Sequence, residues 1–514
     1  MRTSTFIKLA AFCGAATLSV AAVAQMPDRP HGDYHDMAGD KLGEIVFPNS
    51  GNAAAQAPFL RGVKLLHNFE YEDAIESFQA AEQADPNFAL AYWGEAMSHN
   101  YTLWAEQHTD KARAILNKLG PTPESRAAKA GTAREKMYLA AVETLYGPGT
   151  KFERDVAYAD RMDALATAYP DDVEAQAFDA LATLGRSHGT RNEANYLKGA
   201  TILEKLLPTH QHHPGVVHYM IHSYDDPAHA QLGLKAARLY DKIAPESPHA
   251  LHMTSHIFLA LGMWPETVAA NRMAQARAME MMGGHAGQMG CGHGAIWLVY
   301  AQLQQGQDPT DDIDRCKANA LDPAQLGRDD SVIGGEEDSL GSYADMLVRR
   351  GVETGKWPAP MALGPGHHEL ARFTFAYGQM LAARHDASAA KAAVESMRAS
   401  RAAIAAALPK ELPDEDQLLP WIDRGIAQGE AVADLAAGNR QAGLAKLKAA
   451  AEAEQALPVV FGPPMVQELS WELLGQELLA DGRKSEAAAA FRAALQMAPG
   501  RRIATAGLKA ATGS

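Results

Sequence analysis

Histidines recur at helical spacing in two neighbouring segments of the chain. His218 and His222 are four residues apart, and His252 and His256 repeat that spacing about thirty residues later. Residues at i and i+4 lie one turn apart on the same face of a helix. His293, at the start of a further predicted helix, is a fifth candidate. Neutral imidazole is a common ligand of zinc, copper, iron and nickel, so this spacing predicts a transition-metal site.

Four more residues extend this candidate site. Asp225, Asp226 and His229 follow the end of the first histidine helix and could supply a carboxylate or another imidazole. His249, just before the second pair, is a further candidate. Two i, i+4 pairs provide four nitrogen ligands, the number that tetrahedral zinc requires, and copper is the alternative metal because imidazole suits it as well. We therefore expect the histidines to converge on one zinc or copper ion.

Histidines can also be buried without a metal. An imidazole left without hydrogen-bond partners costs roughly 1–3 kcal/mol, so a structural cluster needs polar neighbours. A polar network or the lining of a peptide-binding groove therefore stays open as an interpretation, with neighbours available at Ser223, Asp225, Asp226, Ser255 and Asn271. Scattered surface histidines are a third interpretation. His210, His212 and His213 lie in the predicted loop before the first pair, where we expect them to be exposed.

The elements that must position these residues are helices. The chain has 514 residues, is rich in Ala and Leu at helical spacing, and shows almost no strand-like alternation, which predicts an all-α protein. Near the C-terminus a set of residues falls at the spacing of a tetratricopeptide (TPR) repeat: Trp471, Leu474, Gly475, Leu478, Gly482, Ala487, Phe491, Ala494 and Pro499. A second set does so near the other end: Gly62, Leu65, Ala74, Phe78, Ala81 and Pro86. In each repeat, large residues of one helix fill the gap beside small residues of the next.

These repeats predict a right-handed solenoid of TPR-like helical hairpins with irregular inserts. In such an array the first helices of successive hairpins lie side by side on the concave face, with axes roughly 8–10 Å apart, so the histidine pairs can meet there. The expected segments are a signal peptide (1–24), an extended arm (25–54), N-terminal repeats (55–150), central histidine-rich repeats (151–330), an insert with a further hairpin (331–410) and C-terminal repeats (411–514).

The N-terminus has the pattern of a secretory signal. Arg2 and Lys8 precede an apolar stretch that ends in a small-x-small cleavage motif before Gln25, which predicts export, in a bacterium to the periplasm. Cleavage removes Cys13 and leaves Cys291 and Cys316 in an oxidising compartment, where two cysteines suggest one disulfide. The alternative makes Cys291 a metal ligand beside His293.

Charge and motifs narrow the function. The formal net charge of -15 argues against nucleic acid and anionic membranes as partners. No other segment is a long apolar run, so we expect no membrane insertion of the mature chain. A concave helical array favours a protein or peptide partner. Because no P-loop, dinucleotide fingerprint, HExxH or GxSxG motif is present, the choice between a metal-binding scaffold and a metal-dependent enzyme stays open.

Several stretches together resemble a group of exported bacterial TPR-repeat proteins that are rich in histidine and have no established biochemical role. The stretches are "LGEIVFP", "AYWGEAM", "HPGVVHYMIHSYDDPAHAQLGLKAARLYDKIAP", "HALHMTSHIFLALGMW" and "CGHGAIWLVYAQLQQGQ". The resemblance covers most of the mature chain and implies a TPR fold and export, but no reaction. Gly51 departs from it, because related chains often carry a cysteine there.

Overall fold

The computed structural model describes residues 41–188, 191–281, 290–322, 332–333, 338–361, 363, 368–408 and 418–513. Helices dominate these residues. The strands among them are β1 (Asn100–Tyr101) and β2 (Glu106–Gln107), which form one short antiparallel pair. The all-α prediction is therefore confirmed. The predicted signal peptide, most of the predicted arm and most of the inserts lie outside the described residues.

The described helices are α1 (Ala53–His67), α2 (Tyr71–Ala84), α3 (Ala89–Met97), α4 (Thr109–Leu119), α5 (Pro123–Ala127), α6 (Ala133–Leu145), α7 (Lys151–Ala168), α8 (Val173–Gly185), α9 (Glu193–Leu206), α10 (Pro214–Ser223), α11 (Ala230–Ile243), α12 (Pro248–Ala260), α13 (Trp264–Met281), α14 (His293–Gln304), α15 (Thr310–Ala320), α16 (Ser339–Thr354), α17 (Glu369–Ala382), α18 (Ala387–Ala407), α19 (Leu418–Ala436), α20 (Arg440–Gln455), α21 (Ser470–Ala480), α22 (Lys484–Met497) and α23 (Arg502–Thr512).

Most consecutive helices pack on one another as hairpins, as expected of a helical-repeat fold. The close approach predicted at Gly475 is present, since a Cβ there would lie 2.7 Å from the ring of Phe491. Gly62 and Phe78 make the same contact near the N-terminus, at 2.8 Å. Gly482 has φ +74° in the turn between α21 and α22, a conformation that favours glycine. In both repeats recognised in the sequence, a phenylalanine ring of the second helix therefore packs against a glycine of the first helix.

Both ends of the described array fold back onto its centre. At the N-terminal end, Glu44 N donates to His212 O (2.9 Å), and the extended residues before α1 bury Phe47 in the core. At the C-terminal end, Trp264 Nε1 donates to Gly500 O at 3.1 Å. The hairpins from α10 to α14 are therefore enclosed from two sides. No described helix combines the length and apolar character that a membrane span requires.

Cys291 and Cys316 pair with each other. The Sγ atoms of Cys291 and Cys316 are 2.08 Å apart, which joins the start of α14 to the end of α15. This is the pairing expected from the sequence. It leaves Cys291 unable to serve as the thiolate metal ligand of the alternative interpretation.

Candidate metal centre

Six histidines form two groups of three. His218, His222 and His249 make the first triad, and their ligand atoms lie within 4.8 Å of one another. A second triad with the same compactness consists of His252, His256 and His293. In the described part of the chain, both groups are made of imidazoles alone.

The second triad repeats the first with the period of the fold. His252 follows His218 by 34 residues and His256 follows His222 by 34, which is the length of one TPR repeat. The third histidine of each triad comes from the first turn of the first helix of the following hairpin. His249 is the second residue of α12, where Pro248 occupies the first position, and His293 is the first residue of α14. The triads are therefore one constellation that occurs in two successive hairpins.

In each triad, the Nδ1 atom of one histidine lies beside an oxygen that can only accept a hydrogen bond. His218 Nδ1 lies 2.6 Å from the backbone oxygen of His67, and His252 Nδ1 lies 2.7 Å from Asn271 Oδ1. The amide of Asn271 is oriented because its Nδ2 donates to Thr267 O. Both oxygens accept, so both Nδ1 atoms carry the proton. In the neutral ring, Nε2 then carries a bare lone pair directed into the triad.

These lone pairs meet other nitrogens. His218 Nε2 lies 3.1 Å from His222 Nε2 and 3.2 Å from His249 Nε2. One lone pair can accept one proton, so the three nitrogens cannot all be satisfied by one another. In the second triad His252 Nε2 lies 3.1 Å from His256 Nε2. His256 Nδ1 contacts Asp225 Oδ2, and when Asp225 is ionised this contact leaves His256 Nε2 without a proton as well.

A metal ion would resolve these contacts. Two nitrogens 3.1–3.2 Å apart, each bonded to zinc at about 2.05 Å, subtend about 100° at the metal. This is close to a tetrahedral angle. The spacing in the structure therefore suits imidazoles that share one ion.

Burial keeps the six rings neutral. It lowers the pKa of His252 to about 3 and that of His293 to about 4, and neighbouring imidazoles reinforce the effect on His252. The pKa values of His218, His222 and His256 are also well below the ordinary value for the same first reason. Burial also raises the pKa of Asp225, to about 7. Neutral imidazole is the form that binds metals.

Aromatic rings cover both triads. The Phe69 ring lies 4.4 Å from that of His218, and the Trp297 ring lies 4.3 Å from that of His256, measured between centroids. Phe69 has φ +56°, a left-handed conformation that costs a bulky residue roughly 1–3 kcal/mol. A Cβ at Gly462 would lie 2.4 Å from the Trp297 indole, so the loop before α21 packs against this ring. The strained residue therefore presents its ring to the first triad.

The two triads adjoin directly. The ring centroids of His222 and His256 are 5.8 Å apart, and those of His249 and His252 are 6.4 Å apart. Within the second triad, the centroids of His256 and His293 are 5.9 Å apart. Four other separations inside the triads are 4.8–5.0 Å, so those between the triads are longer than these by about 1 Å. We refer to the six histidines together as the six-histidine centre.

The sequence prediction and the structure differ in the number of sites. All five main candidates lie in the six-histidine centre, but in two groups rather than around one point. The reason is the repeat, which displaces the second i, i+4 pair along the array so that each pair recruits its own third histidine. His249, the weaker candidate, completes the first triad.

The other weaker candidates lie outside both triads. Asp225 contacts His256 through Nδ1, on the side of the ring away from the triad. Asp226 pairs with Arg191 and accepts from His229 Nδ1 at 2.9 Å. These two residues thus belong to the loop after α10, with Asp225 as a support for a histidine of the second triad.

A third buried cluster was missed by the sequence reasoning. His213, expected to be exposed, is buried because it caps α10, with Nδ1 accepting from Val216 N at 3.3 Å. Its Nε2 therefore donates to Glu174 Oε1 (3.0 Å), while His67 Nε2 donates to Glu174 Oε2 (2.7 Å). The position of His213 directly before a proline at a helix start was the signal that could have found it.

Every ring nitrogen of this third cluster has a protein partner. His67 Nδ1 accepts from Tyr219 OH at 2.8 Å, which completes the hydrogen bonding. Burial alone would raise the pKa of Glu174, but His213 and His67 lower it to about 2. A polar network, one of the interpretations left open above, therefore accounts for this cluster. It braces the first triad through the backbone oxygen of His67.

Comparison with known proteins adds little to this description. No protein-family model matches the chain, and no curated protein matches it. Solved structures that resemble it include the APC/C hetero-tetramer Cut9-Hcn1, with 11% sequence identity over 90% of this chain and 78% of that chain and a TM-score of 0.35. The P58(IPK) TPR domain shows 12% identity over 90% of this chain and 98% of that chain, with a TM-score of 0.22. Neither TM-score reaches 0.5, so neither structure supports an inference about the site.

Proposed function

We propose that this chain is an exported helical-repeat protein that binds two transition-metal ions, zinc or copper, one in each triad. The observation that carries the proposal is the convergence of Nε2 atoms. His218 Nε2 bears a bare lone pair and faces two other Nε2 atoms at 3.1 and 3.2 Å. Hydrogen bonding within the triad cannot satisfy this arrangement, whereas one bound cation can.

The purely structural interpretation fits a different place in the molecule. The cluster of His67, Glu174 and His213 contains a carboxylate that accepts from both rings, and its other ring nitrogens have partners. Among the described residues, the compact groups at the two triads consist of histidines alone, without a carboxylate. The contrast between the two kinds of cluster favours metal binding for the triads and a network for the third.

Metal content tests the proposal. The full chain is exported by its host, purified without a histidine tag, stripped of metal and dialysed against zinc or copper. We expect two ions per wild-type chain. His249→Ala and His293→Ala each remove one ligand from one triad, so each variant should bind one ion. The matched control is His212→Ala, because His212 is an exposed loop residue whose ring lies beside Glu44. Substoichiometric metal in the wild type, or full loading of both triad variants, would contradict the proposal.

A second candidate function is the binding of a peptide or protein segment. The surface we assign to it is a cleft between α16, α17 and α19, where Phe373 and Trp421, each 8% exposed, line the walls beside Arg349. Arg349 is held by Asp345 and by the backbone of Pro464, so the walls are fixed. Capture from an extract of the exported fraction, compared between wild type and Trp421→Ala, tests it. Equal capture by both proteins would remove this cleft as the binding surface.

A further inference from the structure

We infer that the six-histidine centre, when it holds copper, binds one dioxygen molecule between its two metal ions. The inference rests on the proposed function, since it requires both triads to be loaded. It names dioxygen as a ligand of the six-histidine centre, for which the proposed function names only metal ions.

Each triad has one ligand fewer among the described residues than a four-coordinate ion accepts. Structural zinc sites have four protein ligands, whereas sites that bind and activate a small molecule have three and keep a further position open. The triads have three histidines each among the described residues. Both ions can therefore accept an exogenous ligand.

The spacing of the triads suits one ligand shared by two ions. His222 and His256 occupy equivalent positions in successive repeats, and their ring centroids are 5.8 Å apart. We take the separation of these two rings, about 5–6 Å, as that of the two ions. Two metal–ligand bonds of about 2 Å and one short bond between the bridging atoms span about 5 Å. A two-atom ligand thus reaches both ions, whereas a single bridging oxygen would have to draw them closer.

The charge of the site favours copper in its monovalent state. All six ligands are neutral imidazoles, and Asp225 contacts the centre at one Nδ1. Two zinc ions would bring four positive charges into this buried place, and two Cu(I) ions bring two. Because unpaired buried charge is costly, the site favours the lower charge of Cu(I), and imidazole is a suitable ligand for copper.

The walls of the centre favour a neutral ligand. Phe69 covers the first triad and Trp297 the second, with Trp104 beside His249 at a ring separation of 6.3 Å. An anion that approached across these rings would lose water without gaining a partner on the way. Dioxygen is small, uncharged and apolar, so it crosses such a lining at little cost.

In the binding step, two Cu(I) ions supply the two electrons that one dioxygen molecule accepts. Each Cu(I) gives up one electron and becomes Cu(II). Dioxygen takes both electrons and becomes a peroxide that bonds to the two ions. No bond of the protein forms or breaks, and no further reductant is needed for this step. A chain with one copper ion cannot complete it.

Oxygen uptake by the copper-loaded protein tests the inference. The full chain is loaded anaerobically with Cu(I), its copper content is measured, and dioxygen is then admitted while uptake and the visible absorption are recorded. We expect one dioxygen per two coppers and a new charge-transfer absorption. Uptake should fall by more than tenfold per copper in His249→Ala and His293→Ala, and stay unchanged in His212→Ala.

The dependence of oxygen uptake on copper loading is a second test, which uses the wild-type protein alone. In the wild type, uptake per copper should rise with copper loading, because a singly loaded chain cannot bind dioxygen. Two bound coppers with no uptake, or uptake per copper that is independent of loading, would overturn this inference and leave the proposed function intact. A chain that binds no copper would overturn this inference, and a chain that binds neither zinc nor copper would overturn both.

Discussion

Asp225 allows the metal proposal to be tested without removing a histidine. It is buried and accepts from His256 Nδ1 in the second triad. In metal sites such a carboxylate fixes the ring and raises the basicity of the ligand, and its loss typically weakens metal binding 10–100-fold. Asp225→Asn keeps the shape but removes the charge. We therefore expect metal affinity at the second triad to fall 10–100-fold, which corresponds to about 1.4–2.7 kcal/mol.

The first triad provides the internal control. Its corresponding support is the backbone oxygen of His67 at 2.6 Å from His218 Nδ1, which Asp225→Asn does not alter. A competition titration with a chromogenic chelator should therefore show one unchanged site and one weakened site. Equal weakening of both sites, or two unchanged sites with a lower melting temperature of the metal-free protein, would refute the reasoning. The latter result would indicate that Asp225 only stabilises the fold.

Three further predictions concern the fold. Denatured, unreduced mature protein should contain no free thiol. Cys316→Ser should lower the free energy of unfolding, measured by denaturant titration, by about 3.5 kcal/mol, which is the chain-entropy value for a separation of 25 residues. Gly475→Ala should cost about 1–3 kcal/mol, because its Cβ would lie 2.7 Å from Phe491; an unchanged melting temperature would show that the ring moves freely. Burial raises the pKa of Glu454 from 4.5 to about 7, so the folded state binds this proton more tightly than the unfolded state does. The free energy of unfolding should therefore fall by about 3 kcal/mol as the pH rises through that interval. Glu454→Gln should abolish that loss, so that its stability relative to wild type is higher at pH 8 than at pH 5 in urea unfolding.

The sequence predicted the helices well because their signals are local. The packing of Phe491 on Gly475, the turn at Gly482 and the start of α14 at His293 follow from residues within one hairpin. The i, i+4 histidine pairs are local in the same way. Each of these predictions depends on spacing along a single helix, which the sequence states directly.

The parts that the sequence did not predict depend on residues far apart in the chain. His67 supports His218 across 151 residues, and Phe69 reaches the same ring only because the N-terminal hairpin folds back onto α10. The third cluster joins α1, α8 and the start of α10 by the same return of the chain. The 34-residue separation of the histidine pairs was present in the sequence and would have predicted two sites instead of one.

The two triads differ in what holds them, although the repeat makes their ligands equivalent. The first is supported by a backbone oxygen from a distant hairpin, and the second by the side chains of Asn271, from its own hairpin, and Asp225, from the preceding hairpin. A repeat copies the residues of its own helices, so the ligands recur with its period. It cannot copy a contact with α1, because α1 occurs at one place. The second triad therefore needs side chains of its own to orient its rings, and substitutions of those side chains should separate the two metal affinities.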